Sequence, residues 1–232
     1  MASHLATAHA YVAARGLQCR ARFDGADVQG LGLAKWLWHA STLFPFLWYV
    51  AGGVDATPRW PVTISWTVRK GSGRLLFHAA WIAGWVLFLR PLVRHDGCGV
   101  ALGVSLQMLA TGVVAISLSP VGVSDAVDLR HFATSGKYMV DHVLMMVLFG
   151  VGGCYAAGFL ASGVVFGVST FYLKAVKRKH GERVAADASN DLRLAQRAKL
   201  PAAARREIAA VECVEMVAEY GIFTCFIAGL PG

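Results

Sequence analysis

In a chain where 56% of residues are hydrophobic and only 16% are charged, an ionisable side chain inside an apolar run is the first place to look for chemistry. Those positions are His39, His78, Asp141 and His142, together with Glu212, Glu215 and Glu219. The three glutamates are spaced by three and four residues, so a helix carries them on one face. Two histidines on neighbouring helices are the donor set of a b-type haem, and His78 with His142 is the pair that would supply it. The plainer reading makes each histidine a polar anchor hydrogen-bonded within a bundle. A zinc site from His78, His142 and a glutamate has no ligand spacing to support it, so no metal is assigned. Asp141-His142 reads as a cap or salt-bridge partner at a helix start before it reads as a proton relay.

Catalytic motifs are missing. The sequence has no GxSxG elbow, Walker loop, GxGxxG turn or HExxH pair, and no catalytic residue is assigned. Ser72 within KGSGR lacks the preceding strand and the GK[ST] of a phosphate loop, and reads as a flexible loop. The five cysteines (Cys19, Cys98, Cys154, Cys213 and Cys225) are odd in number and lack CxxC spacing, which argues against a disulfide framework. Cys98, Cys154 and Cys225 sit in apolar runs, where a thiol behaves as a small hydrophobe.

The elements that must position these residues are membrane helices. A soluble domain is about 45–50% apolar and about 25% charged, and this chain departs from both values. The apolar content excludes disorder, and the net charge of +8 lies in flanks, which excludes a nucleic-acid-binding face. A span needs about 20 mostly apolar residues. Spans are expected at Trp36–Val54, with Pro45 inside, at Leu75–Val93 and at Val100–Leu118. Between them, 55–74 reads as an extended loop and DAVDLRHFATSGK as a polar connection. The stretch Tyr138–Leu173 is too long: as one helix it would measure about 54 Å, against a hydrocarbon core of about 30 Å. It is either one overshooting helix or a hairpin broken at Gly150, Gly152 and Gly153. The final segment, Ile208–Leu230, carries the three glutamates near the interface or turned onto partners in a bundle.

Charge argues for the single helix. Residues 174–206 carry a net +7, the 55–74 loop +3, the N-terminal 35 residues +2 and 90–96 +1. The positive-inside rule puts 174–206 in the cytoplasm, matrix or stroma. With four spans before it, the N-terminus shares that side and the 55–74 loop is the exception. The expectation is therefore an all-α transmembrane bundle of five spans, six if 138–173 is a hairpin. Its parts are an N-terminal arm (1–35), a four-span bundle (36–174), a basic segment (175–206) and a terminal helix (207–232). Within the basic segment and its flanks, Lys174, Lys177, Arg178, Lys179, Arg205 and Arg206 are candidates for anionic headgroups or a partner. The N-terminal stretch lacks a signal-peptide core; its arginines suit an organelle presequence, but it reads as a retained segment.

With these spans laid out, the chain resembles the Frag1/DRAM/Sfk1 group of small multi-pass membrane proteins, over about residues 36–230. The resemblance rests on RWPVTISWTV ahead of a second span beginning GRLLF, and on SLSPVGVSDAVDLRHF leading to His131. It rests also on KAVKRKHG closing the next span, and on ECVEMVAEYGIF, where Glu219-Tyr220 or Glu212 match the terminal span. That group has six spans. The resemblance implies a membrane scaffold or lipid-associated regulator without intrinsic catalysis. The competing expectation is an accessory subunit of a large respiratory or photosynthetic complex, with other membrane subunits as partners; a transporter or haem-binding redox carrier ranks third. Haem b or lipid are the ligands in view, and the membrane is that of an organelle: endomembrane, mitochondrial or plastid.

Overall fold

A computed structural model describes residues 2–17, 19, 22–53, 61, 62, 64–68, 71–117, 125–180, 195 and 197–232. Helices build it, and no strand occurs among the described residues: α1 (Ala2–Ala14), α2 (Gly25–Val50), the single turn α3 (Ile64–Thr67), α4 (Gly71–Arg94), α5 (Gly99–Ser117), α6 (Asp125–Leu148), α7 (Gly153–Lys179) and α8 (Ala202–Gly229).

Local chemistry explains where the helices begin and end. Asp24 and Asp27 form a reciprocal capping box: the Asp24 carboxylate accepts from the Asp27 N–H at 2.8 Å, and the Asp24 N–H donates to the Asp27 carboxylate at 3.2 Å. Helix α2 therefore starts eleven residues before the expected Trp36, inside what reads as an arm in the sequence. Likewise α4 starts at Gly71, so Ser72 is helical and not in a loop, and one turn of helix, α3, interrupts the expected extended loop. Helix α6 starts at Asp125, which makes the expected polar connection its first half and puts Asp141-His142 well inside it.

The largest correction concerns 138–173, which is two helices. Gly150 adopts φ +65°, its N–H donates to the Val147 carbonyl at 3.2 Å, and the Val151 N–H reaches back to Met146 at 2.8 Å. This is a Schellman stop, with buried Val151 and Met146 supplying its apolar contact. Gly153, at φ +59°, then opens α7. The chain reverses, and α7 runs back the way α6 came.

Packing pairs neighbours antiparallel. Along α2 the buried residues are Asp27, Leu31, Ala34, Trp38, Ser41, Pro45 and Tyr49, a 3–4 spacing that forms one seam against α4. There Trp38 fits over Gly84, where an added Cβ would meet the indole at 2.6 Å, and its Nε1 donates to the Trp81 carbonyl at 3.3 Å. Helices α7 and α8 approach closely through small residues: a Cβ on Gly158 would lie 2.7 Å from Cys225 Sγ, and one on Gly221 2.7 Å from Ser162 Oγ.

Two ends result. One gathers the starts of α2, α5 and α7 with the finishes of α4, α6 and α8. It is tied by a Cys19–Cys98 disulfide (Cα–Cα 5.3 Å), by Phe23 against Phe149, and by Lys35 Nζ, which donates to the carbonyls of Ala228, Leu230 and Gly232. The disulfide overturns the expectation drawn from cysteine spacing: its partners are 79 residues apart, and only the fold brings them together. The opposite end holds the C-terminus of α7 and the start of α8. The basic block therefore leaves from the end opposite the N-terminus of α2, not from the same side. Much of that block, 181–194, lies outside the described residues.

The outer surface is apolar. Large hydrophobic side chains are exposed along every long helix, among them Trp36 (75%), Leu43 and Phe44 on α2, Leu75 and Val86 on α4, Val140 on α6, Phe171 (75%) on α7 and Val217 on α8. Helices Gly71–Arg94 and Gly153–Lys179 are long and apolar enough to cross a membrane, and Gly99–Ala115 is apolar but shorter.

Candidate functional site

The acidic face of α8 meets a different partner at each turn. Glu212, 4% exposed, accepts two hydrogen bonds from the Arg197 guanidinium (2.7 and 2.9 Å) and an ion pair from Lys177 at 3.1 Å. Glu215 accepts from Thr170 Oγ1 at 2.7 Å, and buried Glu219 accepts from the Ile64 backbone N–H at 2.7 Å. At the start of α8, Glu207 meets His180 (2.7 Å) and Lys179 (3.1 Å), which hold its carboxyl below the usual range. Ile64 touches α8 well along its length. Between its start and that contact, α8 forms an antiparallel pair about 25 Å long with the last part of α7. Leu173, Val176 and Ile208 form a small core within it.

A second polar set joins α5 to α6. Asp141, 1% exposed, accepts from Gln107 Nε2 at 2.8 Å and from Lys137 Nζ at 2.9 Å, and the same ammonium reaches Thr111 Oγ1 at 3.1 Å. Asp141 is thus a salt-bridge partner within the helix and not a cap. Its neighbour His142 is equally buried. The Nδ1 lies 2.7 Å from the Tyr138 carbonyl, which can only accept, so Nδ1 carries the hydrogen. The rings of Tyr138, Phe159, Phe223 and Phe226 surround it with centroids 4.1–5.9 Å away, and Nε2 has no hydrogen-bond partner.

The remaining expected residues do not join these sets. His78 is half-buried on α4 beside Phe77, and His39 is half-buried on α2. No described contact links His78 to His142, whose surroundings are the four aromatic rings. Among the described residues no group of three His, Cys, Asp or Glu could hold a metal. The backbone of His131 lies in α6; its side chain is outside what is described.

The end that carries the disulfide has a polar cluster with no counterpart in the sequence reading. His95 Nε2 lies 2.6 Å from Asp27 Oδ2, and Arg94 reaches both Asp27 and Asp24 at 3.3 Å. Burial pushes the Asp27 carboxyl up, but the hydrogen bonds from His95 and the Asp24 backbone, with the Arg94 charge, outweigh it and hold the group below the ordinary range. Arg22 donates to the Asp96 carbonyl at 2.8 Å. Lys35, at the same end, satisfies the carbonyls that terminate α8. The only signal for this cluster in the sequence is the D-x-x-D of the capping box.

Three places among the described residues therefore concentrate charge: the clamp around Asp27, the buried Asp141 pair, and the end where α7 finishes and α8 starts. At that end Arg178, Lys199, Arg205 and Arg206 are exposed. None of the three presents a nucleophile with a base poised beside it among the described residues; what they show is ion pairing and hydrogen bonding. Compared with known proteins, the chain matches no family model, no curated protein and no solved structure.

Proposed function

We propose that the chain is a six-span integral membrane protein that acts as a scaffold or lipid-associated regulator, without chemistry of its own. The observation that carries this reading is the exposed apolar surface of α2, α4, α5, α6, α7 and α8, combined with carboxylates turned inward onto cations and backbone donors. A water-soluble protein arranges these groups the other way round. Six spans are also what the resemblance to the Frag1/DRAM/Sfk1 group implies. Helices α2, α6 and α8 carry too many polar groups to span on apolar composition alone, and neighbours satisfy those groups.

The orientation follows from two independent features. With α6 and α7 as a hairpin, the +3 loop at 55–74 and the +7 block at 174–206 leave from the same end, so the exception to the positive-inside rule disappears. The opposite end carries the Cys19–Cys98 disulfide, which persists on an oxidising side. We assign the basic end to the cytosolic or equivalent reducing side, and the Asp27 clamp to a lumenal or intermembrane side of an organelle membrane.

The accessory-subunit reading draws on one observation: large apolar side chains such as Phe171 and Val217 stay exposed on α7 and α8, where other membrane subunits would dock. Size after mild detergent extraction separates the two. A monomer or dimer supports the scaffold; migration at hundreds of kilodaltons moves the assignment to a complex subunit. Release of the chain from membranes by alkaline carbonate refutes both.

A further inference from the structure

We propose that a second copy of this chain docks on the outward face of α5, centred on Gln107, so that two copies pair through parallel α5 helices about a two-fold axis normal to the membrane. This rests on the six-span reading above, in which α5 is one of the spans.

Gln107 lies in the middle of α5, about 12 Å from the first residue of the helix and about 15 Å from its last. A spanning helix of that length matches a hydrocarbon core of about 30 Å, and the short side chain of Gln107 reaches neither interface. Gln107 is nonetheless exposed, and so is its neighbour on α6, Lys137, with 49% of its side chain accessible. The two are not equivalent. The Lys137 ammonium has three hydrogens and three acceptors: Thr111 Oγ1 at 3.1 Å and the Asp141 oxygens at 3.1 and 2.9 Å. Its charge and its donors are satisfied within the chain, so this face asks no acid of a partner. The Gln107 amide is only partly used. Its Nε2 donates to Asp141 Oδ1 at 2.8 Å, and among the described residues nothing meets its second N–H hydrogen or its carbonyl oxygen. An amide left half-paired against hydrocarbon is costly, and another helix bringing a matching polar group relieves it.

A second Gln107 is that group. An amide both donates and accepts, so two of them related by a two-fold axis exchange two hydrogen bonds. The surrounding face suits the approach. Val100, Gly103, Gln107, Ala110, Val114 and Ser117 recur at alternating spacings of three and four, and all six are exposed. Ala101, Ser105 and Met108 are buried on the opposite side of the helix. Such a spacing is the seam of a left-handed parallel pair, in which each seam residue stands opposite its own counterpart. At Gly103, one turn from Gln107, an added Cβ would meet nothing within 4 Å, so the second helix has room to come close.

The test uses the full-length protein, labelled in separate batches with donor and acceptor fluorophores on an appended tag. The batches are reconstituted together in phosphatidylcholine liposomes, and energy transfer is read as lipid dilutes the protein. Transfer is expected to follow a two-body equilibrium, and Gln107→Leu is expected to weaken it about tenfold. Gly103→Leu enters open space in the single chain, so it should weaken pairing at least as much with an unchanged melting temperature; it decides the matter if Gln107→Leu, which also loses the bond to Asp141, does not fold. Gly163→Leu, on α7 with equally open surroundings, is expected to pair as the parent does. Transfer no greater than random crowding at every dilution gives the face to some other partner and overturns the proposal. Parent-like pairing in Gly103→Leu, or equal loss in Gly163→Leu, overturns the site. If instead the six-span reading is at fault, the chain fails to float with the liposomes; a chain that floats and stays monomeric fails the pairing alone.

Discussion

Replacing Glu212, Glu215 and Glu219 one at a time by alanine separates three carboxylates that the sequence treats as equivalent. Glu212→Ala removes the carboxylate from Arg197 and Lys177, whose side chains are only 14% and 21% exposed. Breaking a buried pair by deleting one partner costs about 3–5 kcal/mol, because the opposite charges stay desolvated. Glu219→Ala leaves the buried Ile64 N–H without its acceptor, which costs about 1–3 kcal/mol, and Glu215→Ala deletes the acceptor of one hydroxyl, about 1 kcal/mol. The expected order of destabilisation is Glu212, then Glu219, then Glu215. Unfolding of the purified protein in mixed micelles with increasing dodecyl sulfate measures it. A double-mutant cycle of Glu212→Ala with Arg197→Ala should return a coupling of about 2 kcal/mol or more. Should Glu212→Ala unfold at the same detergent fraction as Glu215→Ala, with no coupling to Arg197, the bidentate pair does not hold this end of α7 and α8 together and the ranking fails.

Other perturbations follow from the same packing. Cys19→Ser/Cys98→Ser opens a loop of 79 residues, worth at most about 4.5 kcal/mol on a chain-entropy account; the variant should melt lower and be cut faster after Arg15 by trypsin, and an unchanged melting temperature would remove the disulfide from the structural account. The Asp27 carboxyl is depressed in the folded protein, so its contribution is fully present above the unfolded carboxylate value of about 3.9 and is lost as pH falls through the lower folded value. Melting temperatures should therefore drop below about pH 4, and Asp27→Asn should flatten that limb while lowering stability at pH 6; the same acid limb in both proteins counts against the clamp. Gly221→Leu and Gly158→Leu force α7 and α8 apart, since a single Cβ already meets Ser162 Oγ or Cys225 Sγ at 2.7 Å, whereas Gly163→Leu, with open space around its Cβ, should be near neutral in the same melts.

Much of the architecture is legible in the residues. The apolar blocks locate α4 and α5 to within a few positions, because their composition is uniform. The start of α2 is hidden by the polar residues of its first turns; the D-x-x-D of Asp24 and Asp27 is the readable sign, and it matters because the helix is capped there and not at the first tryptophan. The break at Gly150 hinges on distinguishing a glycine used for packing from one used to stop a helix. Gly followed by an apolar residue fits a Schellman stop, and the excess length of 138–173 already called for one. Taking 138–173 as one helix also places the basic block at the other end of the bundle, since one reversal moves every later element to the opposite end. The polar groups were located by type, but their partners were not. Nothing local links Glu219 to Ile64, Lys35 to the last carbonyls of α8, or Cys19 to Cys98, across separations of 155, 193 to 197 and 79 residues. For the same reason two imidazoles in apolar runs, His78 and His142, specify no common site in sequence; no described contact joins them, and four rings surround His142.

The central claim is that the disulfide end and the basic tip face opposite sides of a bilayer. Protease tags inserted after Gly16 and after Lys199 test it in sealed vesicles of known sidedness. One tag protected and the other cleaved, with the tip on the cytosolic side, is the expected result. Both tags cleaved, or both protected, would return the chain to an odd number of spans and contradict the α6–α7 hairpin on which the sidedness depends.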